Sequence, residues 1–179
     1  MSNFRISSSG IVALTLTLAI GCSGGSSDSG PKPLAAGSHT LSVEIQPVTG
    51  ATVPVSGLDL TLVLPPGVTI ATQGSGSSEI AAADLTAGSA VPGATKVVAG
   101  SYRSGPQQVR LGLTAGPSAV WSGEALRLTF FAPANQIMAT DFQALNTSPV
   151  ALTAVGVDTI THSSVIITKQ VQIILKVTN

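Results

Sequence analysis

Apolar residues recur at every second position along much of this chain. Leucines occupy positions 58, 60, 62 and 64, and a similar alternation runs through residues 165–177. A period of two residues is typical of a β-strand that buries one face. Glycine and proline are plentiful, with 19 and 11 among 179 residues, whereas the helix formers Glu, Lys and Gln are few. The sequence therefore predicts an all-β protein built from short strands and turns.

About nine segments carry the strand pattern, at the spacing of roughly 8 to 12 residues that is typical of β-sandwiches. They cover residues 41–46, 53–55, 58–64, 68–70, 95–102, 107–113, 125–131, 150–157 and 165–178. We therefore predict an antiparallel β-sandwich of the jelly-roll type. The last segment is predicted to be one strand, whose apolar face carries Val165, Ile167, Val171, Ile173, Leu175 and Val177. Residues 72–93 are rich in Ser, Gly and Ala, and we expect a short helix or a loop around residues 79–85.

A short apolar run, residues 11–21, ends at Cys22, the only cysteine of the chain. Arg5 precedes this run, and a stretch rich in Ser and Gly follows it. A positive start, an apolar core of about ten residues and small residues at the cleavage point are the parts of a secretory signal peptide. Residues 18–22, Leu-Ala-Ile-Gly-Cys, resemble a bacterial lipobox. This resemblance implies that residues 1–21 are removed and that Cys22 is acylated and becomes the mature N-terminus.

The length and the position of this run argue against a transmembrane helix and against a buried core segment. A transmembrane helix needs roughly 17 to 25 residues, so the run is too short for one. A buried core segment is a common environment for a free cysteine, but the run begins close to Met1 and is followed by polar linker. Plain secretion is the main alternative. Acylation also accounts for the odd cysteine, which otherwise indicates a reactive thiol or an intermolecular bridge.

The signal predicts an exported protein that is anchored by lipid to the bacterial cell envelope. The lipobox resemblance implies several acyl chains on Cys22, palmitate among them. One chain alone binds a membrane only marginally, so several would make the anchoring durable. Ser23 rather than Asp follows the cysteine, which resembles the default for outer-membrane sorting in Gram-negative cells. Residues 22–38 are predicted to be a flexible tether that reaches about 20 to 25 Å. Residues 39–179 then form one sandwich domain.

Charge excludes one class of partner. The chain has 8 basic and 8 acidic residues, so its formal net charge is zero. Nucleic-acid binding proteins present a basic stripe that neutralises phosphates. We therefore predict no nucleic-acid partner.

Three segments of the predicted sandwich resemble strands of cohesin-like domains. They are residues 53–68 (VPVSGLDLTLVLPPGV), residues 94–113 and residues 122–131 (SGEALRLTFF). Cohesins share their sandwich with a superfamily of carbohydrate-binding modules, and they bind dockerin modules through an exposed sheet face. The resemblance thus implies this fold and a dockerin-like partner. A Leu-Pro-Pro sequence at residues 64–66 replaces the Tyr-Asp-Pro turn of the family, and no dockerin-contacting residue can be assigned to this chain.

No local pattern for catalysis or metal binding was found. His39 and His162 are far apart in the sequence, and the acidic residues lack the spacing of an EF-hand or an Asp-x-Asp metal site. The serines lie in Gly/Ser runs with no identifiable base. We therefore predict a protein that is not an enzyme and that uses no cofactor and no metal.

Sugar recognition usually needs exposed aromatic rings beside polar groups. Trp121, in a loop, and Tyr102, before a turn, are the two candidates for such a ligand-binding platform. Trp121 also suits the packing of one end of the sandwich. Phe130 and Phe131 are adjacent on one predicted strand, so at least one of them is expected in the core.

These observations lead to two main functional hypotheses. The first is a membrane-anchored, non-catalytic envelope lipoprotein whose sandwich binds a dockerin-like or other envelope protein, or supports envelope assembly. The second is a carbohydrate-binding module that recognises a polysaccharide through Trp121 and Tyr102. An enzyme whose carboxylates converge only in the folded chain is a third hypothesis.

Overall fold

A computed structural model of the chain describes residues 32–91, 93, 95–116, 121–134, 136–149 and 151–178. The predicted signal peptide, Cys22 and residues 22–31 of the predicted tether lie outside these ranges. The described residues contain nine strands, one α-helix and one 3-10 turn. The strands are β1 (Gly37–Pro47), β2 (Val55–Val63), β3 (Leu85–Ala87), β4 (Lys96–Arg103), β5 (Gln108–Ala115), β6 (Gly123–Ala132), β7 (Ala151–Val157), β8 (Ser164–Ile166) and β9 (Val171–Thr178), with the helix α1 (Ala139–Leu145) between β6 and β7 and the 3-10 turn (Thr168–Gln170) before β9.

The strands form two sheets that enclose one hydrophobic core. The first sheet has four strands in the order β3-β6-β1-β9, and the second has five in the order β4-β5-β2-β7-β8. All neighbouring strands are antiparallel. The prediction of an all-β, antiparallel sandwich with about nine strands is therefore confirmed.

Aliphatic side chains from the inner faces of both sheets fill this core. On β2, Leu58, Leu60 and Leu62 are buried, whereas the residues between them are only partly covered. The same alternation is present on β5. Burial of a leucine-sized side chain stabilises a fold by about 1.5–3 kcal/mol relative to its exposure. The apolar residues that form the period-two pattern therefore also stabilise the fold by their burial.

The sandwich has two ends, which we call the entry end and the far end. The entry end is where the chain enters β1 at Gly37 and where β2 ends at Val63. The far end is where β1 ends at Pro47 and β2 begins at Val55.

The packed structure begins earlier than the predicted boundary at residue 39. Leu34 is buried, and its backbone N–H donates a hydrogen bond to the Ile137 carbonyl at 2.7 Å. The strand β1 then starts at Gly37. Leu34 and Gly37 fall within the predicted tether, so its last residues belong to the sandwich because an apolar side chain is available there to be buried.

The prediction of one continuous strand at residues 165–178 is wrong. The segment is divided between the sheets, since β8 lies at the edge of the five-stranded sheet and β9 at the edge of the four-stranded sheet. The 3-10 turn separates them, and the hydroxyl of Thr168 in that turn accepts a hydrogen bond from the Ala154 N–H at 3.0 Å. The apolar alternation continues across the turn because both strands contribute side chains to the same core.

Two short elements were not predicted from the sequence. The strand β3 has 3 residues and the helix α1 has 7, of which only Phe142 is buried. Two helical turns with one buried residue cannot show an apolar period of 3.6. Residues 79–84 form isolated bridges and turns, so the loop rather than the helix is observed there.

Side-chain amides join α1 to both sheets. The buried Asn146, which follows the helix, accepts a hydrogen bond from the Val63 N–H at 2.8 Å and donates one to the Val63 carbonyl at 2.7 Å. Gln143 accepts the N–H of Leu175, in the edge strand β9, at 2.7 Å. The Asn146 amide thus takes the place of a neighbouring strand at the end of β2, where backbone groups otherwise lack partners.

The Asn146→Ala variant is expected to lower the free energy of unfolding by about 2–3 kcal/mol, because both backbone groups of Val63 lose their partner. Urea denaturation followed by circular dichroism measures this difference. Thr147→Ala, at an exposed neighbouring position, is the control and is expected to change stability by less than about 0.5 kcal/mol. Equal denaturation midpoints for Asn146→Ala and the wild type would contradict this role of the amide.

Candidate binding face on the five-stranded sheet

The outward side chains of the five-stranded sheet form a surface that we call the open face. The strand register arranges them in rows that run across the sheet. Most of these side chains are small or carry a hydroxyl group, so few of them project far from the sheet. From the entry end to the far end, the rows are Ser101, Arg110, Thr61 and Ala151; then Ala99, Gly112, Asp59 and Thr153; and then Val97, Thr114, Gly57, Val155 and Ile166.

One ion pair lies at the centre of the open face. Arg110 Nε lies 3.0 Å from Asp59 Oδ1, and Arg110 Nη2 lies 2.5 Å from Asp59 Oδ2. This bidentate hydrogen bonding lowers the pKa of the Asp59 carboxyl below its ordinary value; partial burial opposes the effect and the charge of Arg110 adds to it. The same contact raises the pKa of Arg110. Asp59 is therefore ionised and held in a defined position at neutral pH.

Two shallow cavities meet at this ion pair. Their volumes are about 490 and 430 Å³, and Asp59, Ser101 and Arg110 line both of them. Gly112 lines the second, and a Cβ atom added there would meet only the Ala99 carbonyl oxygen, at 3.6 Å. The centre of the open face is thus concave, with a charged wall and a floor of small residues.

The row nearest the far end is uncharged and has exposed aliphatic residues at both margins. Val97 is 62% exposed and Ile166 is 77% exposed. Thr114, Gly57 and Val155 lie between them and add no charge. This row therefore leaves aliphatic surface in contact with water, and a protein partner that covered it would remove that surface from water.

The outward face of the four-stranded sheet has a different character, which we call the charged face. Lys176 Nζ lies 2.8 Å from Glu44 Oε2, and Arg127 Nη2 lies 2.7 Å from Glu124 Oε2. Burying such a pair against a partner costs desolvation energy that its attraction does not always repay. Among the described residues the charged face carries two ion pairs, whereas the open face carries one together with the exposed Val97 and Ile166. Of the two outward faces, the open face is therefore the better candidate for a protein interface.

Both aromatic residues of the predicted sugar platform are buried, which corrects that prediction. Trp121 has 0% exposure, and Tyr102 is 8% exposed, with its hydroxyl donating to the Val68 carbonyl at 3.0 Å. Trp121 precedes β6 at the far end, whereas Tyr102 lies on β4 near the entry end. The fold does not bring the two rings together, and neither presents a face to a ligand. Trp121 instead packs the end of the sandwich, the other role that its position suggested.

The central ion pair was not predicted from the sequence. Asp59 has no basic neighbour in the sequence, and Arg110 follows 51 residues later. Period-two alternation places both residues on an outward face. Their contact depends on the pairing of β2 with β5, which local sequence does not reveal.

Neither a metal centre nor a membrane-spanning helix occurs among the described residues. No group of three or more His, Cys, Asp or Glu side chains that could hold a metal ion is found there. His39 Nε2 lies 2.9 Å from the Ala35 carbonyl oxygen, and its ring packs against Phe130. His162 lies in the turn between β7 and β8, away from His39. In the same ranges no helix is both long enough and apolar enough to cross a bilayer.

Comparisons with known proteins give a weak structural likeness. No family model and no curated protein matches the sequence. Among solved structures, the chain is similar to a chain of a type II cohesin-X-dockerin complex from Acetivibrio cellulolyticus, crystallised as an N-terminal interface mutant. The two chains are 13% identical with a TM-score of 0.45, over 82% of this chain and 86% of that chain. At these values the likeness does not bear on what this chain binds.

The Arg110→Gln variant is expected to return the pKa of Asp59 towards its ordinary value of about 4. Carboxyl carbon NMR titration of the variant and the wild type measures the change. Because the wild-type pKa is lowered in the folded state, the pair stabilises the fold above about pH 4 and loses this effect as the pH falls through the folded-state value. The stabilisation is expected to be small, since solvent reaches both side chains and screens the pair. Identical titration midpoints in both proteins would show that the contact does not persist in solution.

Proposed function

We propose that this chain is a non-catalytic lipoprotein of the bacterial cell envelope, acylated at Cys22, whose open face binds a protein partner. The observation that carries the binding role is the combination of exposed Val97 and Ile166 with the concave centre around Arg110 and Asp59. The lipobox-like segment that ends at Cys22 supports the anchoring.

The open face favours a partner of mixed chemistry. Apolar side chains of the partner would cover the row between Val97 and Ile166, which removes aliphatic surface from water. Polar side chains would lie over Arg110 and Asp59, whose bidentate contact already fixes their orientation. A preformed polar centre contributes to specificity more than to affinity.

The chain enters the sandwich at the end opposite the apolar row. Leu34 is hydrogen-bonded to Ile137 at the entry end. The apolar row with Val97 and Ile166 lies towards the far end, since Gly57 in that row is close to the start of β2. An anchor that precedes Leu34 would therefore attach to the domain away from this row.

The sequence resemblance to cohesins favours a dockerin-like protein as the partner. Cohesins bind dockerins through an exposed sheet face, and the open face is a face of this kind. The role is proposed as binding rather than catalysis, because Asp59, the carboxylate at the centre of the open face, is engaged by Arg110.

Gly112→Tyr is expected to abolish binding without loss of stability. The Cβ atom of the new tyrosine would lie 3.6 Å from the Ala99 carbonyl oxygen, an ordinary van der Waals distance. Tyrosine also has a higher β-propensity than glycine. The new side chain would fill the concave centre of the open face. Affinity capture from envelope extract of the native cell, quantified by mass spectrometry, measures the loss for each protein that the wild type retains.

Gln172→Tyr is the matched control, because Gln172 is exposed on the charged face and the variant adds a ring of the same size. It is expected to retain the partner. Equal recovery with Gly112→Tyr and the wild type, or equal loss in both variants, would contradict binding at the open face.

Cys22→Ser is expected to remove lipid attachment and to shift the protein from the membrane fraction to the soluble fraction. Metabolic labelling with palmitate and membrane fractionation measure the two effects. Ser23→Ala leaves the cysteine intact and is expected to keep both the label and the membrane association. A Cys22→Ser protein that remained labelled and membrane-bound would overturn the proposed anchor.

A further inference from the structure

The ring of Phe131 is exposed on the four-stranded sheet, near the entry end. It is 51% exposed, whereas the neighbouring Phe130 is buried in the core. The strand register places Ser38 opposite Phe131 on β1. On the other side, Thr69 and Phe131 exchange backbone hydrogen bonds of 2.9 and 3.1 Å. Phe131 is thus held between two residues that carry hydroxyl groups.

A second pair of polar residues lies next to the ring. Thr129 is two positions before Phe131 on β6, so its side chain is on the same face of the sheet. The Thr129 N–H donates to the Asp84 carbonyl at 2.8 Å, which places Asp84 beside it, directly before β3. Ser38, Thr69, Asp84, Thr129 and Phe131 together line a shallow cavity of about 280 Å³.

These polar side chains have no partner of their own within the described ranges. Neither the Asp84 carboxylate nor the hydroxyls of Thr69 and Thr129 make a hydrogen bond or an ion pair there. The other carboxylates on the two sheets differ in this respect, because Asp59, Glu44 and Glu124 each contact a basic side chain. The cavity therefore combines an exposed aromatic ring with unused hydrogen-bonding groups.

We propose that this cavity binds one unit of a neutral saccharide. A pyranose ring has an apolar C–H face, which stacks on an aromatic ring, and hydroxyl groups at its rim, which hydrogen-bond to carboxylates and hydroxyls. Phe131 provides the aromatic surface, Asp84 accepts hydrogen bonds from the sugar hydroxyls, and Thr69 and Thr129 donate or accept. A cavity of about 280 Å³ lies at the lower limit of small-molecule sites, roughly 300 Å³, and suits one sugar unit of a longer chain.

Other ligand classes fit the cavity less well. An anionic group such as a phosphate would be repelled by Asp84, and none of the described residues that line the cavity is basic. An apolar peptide side chain would cover the Asp84 carboxylate without supplying a hydrogen bond. Removing the carboxylate from water in this way costs free energy and weakens binding. A neutral sugar satisfies the carboxylate and covers the phenyl ring at the same time.

Affinity electrophoresis tests the proposal with four soluble probes: hydroxyethyl cellulose, laminarin, xylan and galactomannan. At least one of these polysaccharides is expected to slow the wild-type protein. Phe131→Leu, which retains an apolar side chain but loses the aromatic ring, is expected to weaken the affinity about tenfold. Asp84→Asn is expected to weaken it as well, because an amide oxygen is a poorer acceptor than a carboxylate.

Val97→Ala, an exposed position on the open face, is the control and is expected to bind sugar as the wild type does. Gly112→Tyr should also retain sugar binding, so a failure here is distinguishable from a failure of the open face as a protein-binding site. Unfolding midpoints of all variants confirm that each one is folded. Absence of retardation by all four polysaccharides, or equal retardation of Phe131→Leu and the wild type, would overturn the proposal.

Discussion

Burial of aliphatic side chains between the two sheets is the interaction on which the rest of this structure depends. Cys22 is the only cysteine in the sequence, so an intrachain disulfide cannot form. The fold is therefore stabilised without a cross-link, by strands that bury alternate residues, such as Leu58 and Leu60 on β2. The residues between them face outwards and are free of this packing constraint. The open face consists of such outward residues, and the cavity at Phe131 combines outward strand residues with Thr69 and Asp84 from the connections between strands. The core beneath both surfaces is continuous.

Polar side chains supply hydrogen bonds to backbone groups that no neighbouring strand pairs with. Asn146 supplies both hydrogen bonds that the end of β2 requires, and Gln143 covers one N–H on the edge strand β9. Trp121 fills the far end, and the hydroxyl of Tyr102 is bonded to the backbone near the entry end. Trp121 and Tyr102 are the two residues that the sequence made candidates for a ligand site, and both are used in this packing. A buried aromatic residue in a β-sandwich is consequently weak evidence for a ligand site.

Period-two alternation was sufficient to predict the sandwich, because it states directly which side chains are buried. It was insufficient to predict how the strands are shared between the sheets. The break at Thr168 separates β8 from β9 without interrupting the apolar pattern, so the sequence shows one strand where there are two. The contact between Asp59 and Arg110 could not be predicted from the local sequence either, because it depends on the pairing of β2 with β5. Phe130 and Phe131 are a case in which alternation was sufficient, because it places the two rings on opposite faces of one strand and so predicts at least one of them in the core, where Phe130 is found.

The two proposals give separate roles to the two sheets. In the first, the uncharged row and the ion pair of the open face contact a protein partner, and in the second, the aromatic ring and the polar groups of the cavity at Phe131 contact a sugar. Both surfaces rest on the same core and lie on opposite outward sides of the sandwich. Anchoring at Cys22 would hold the two surfaces in the cell envelope at once.

The central claim is that the open face is the protein-binding surface, and in-cell photocrosslinking tests it most directly. A photoreactive benzoylphenylalanine is placed at Thr153 on the open face or at Gln172 on the charged face, both exposed positions, in the full-length chain with Cys22 intact. The account predicts a discrete higher-mass adduct from the probe at Thr153 and none from the probe at Gln172. An adduct formed only at Gln172, or equal adducts at both positions, would contradict it.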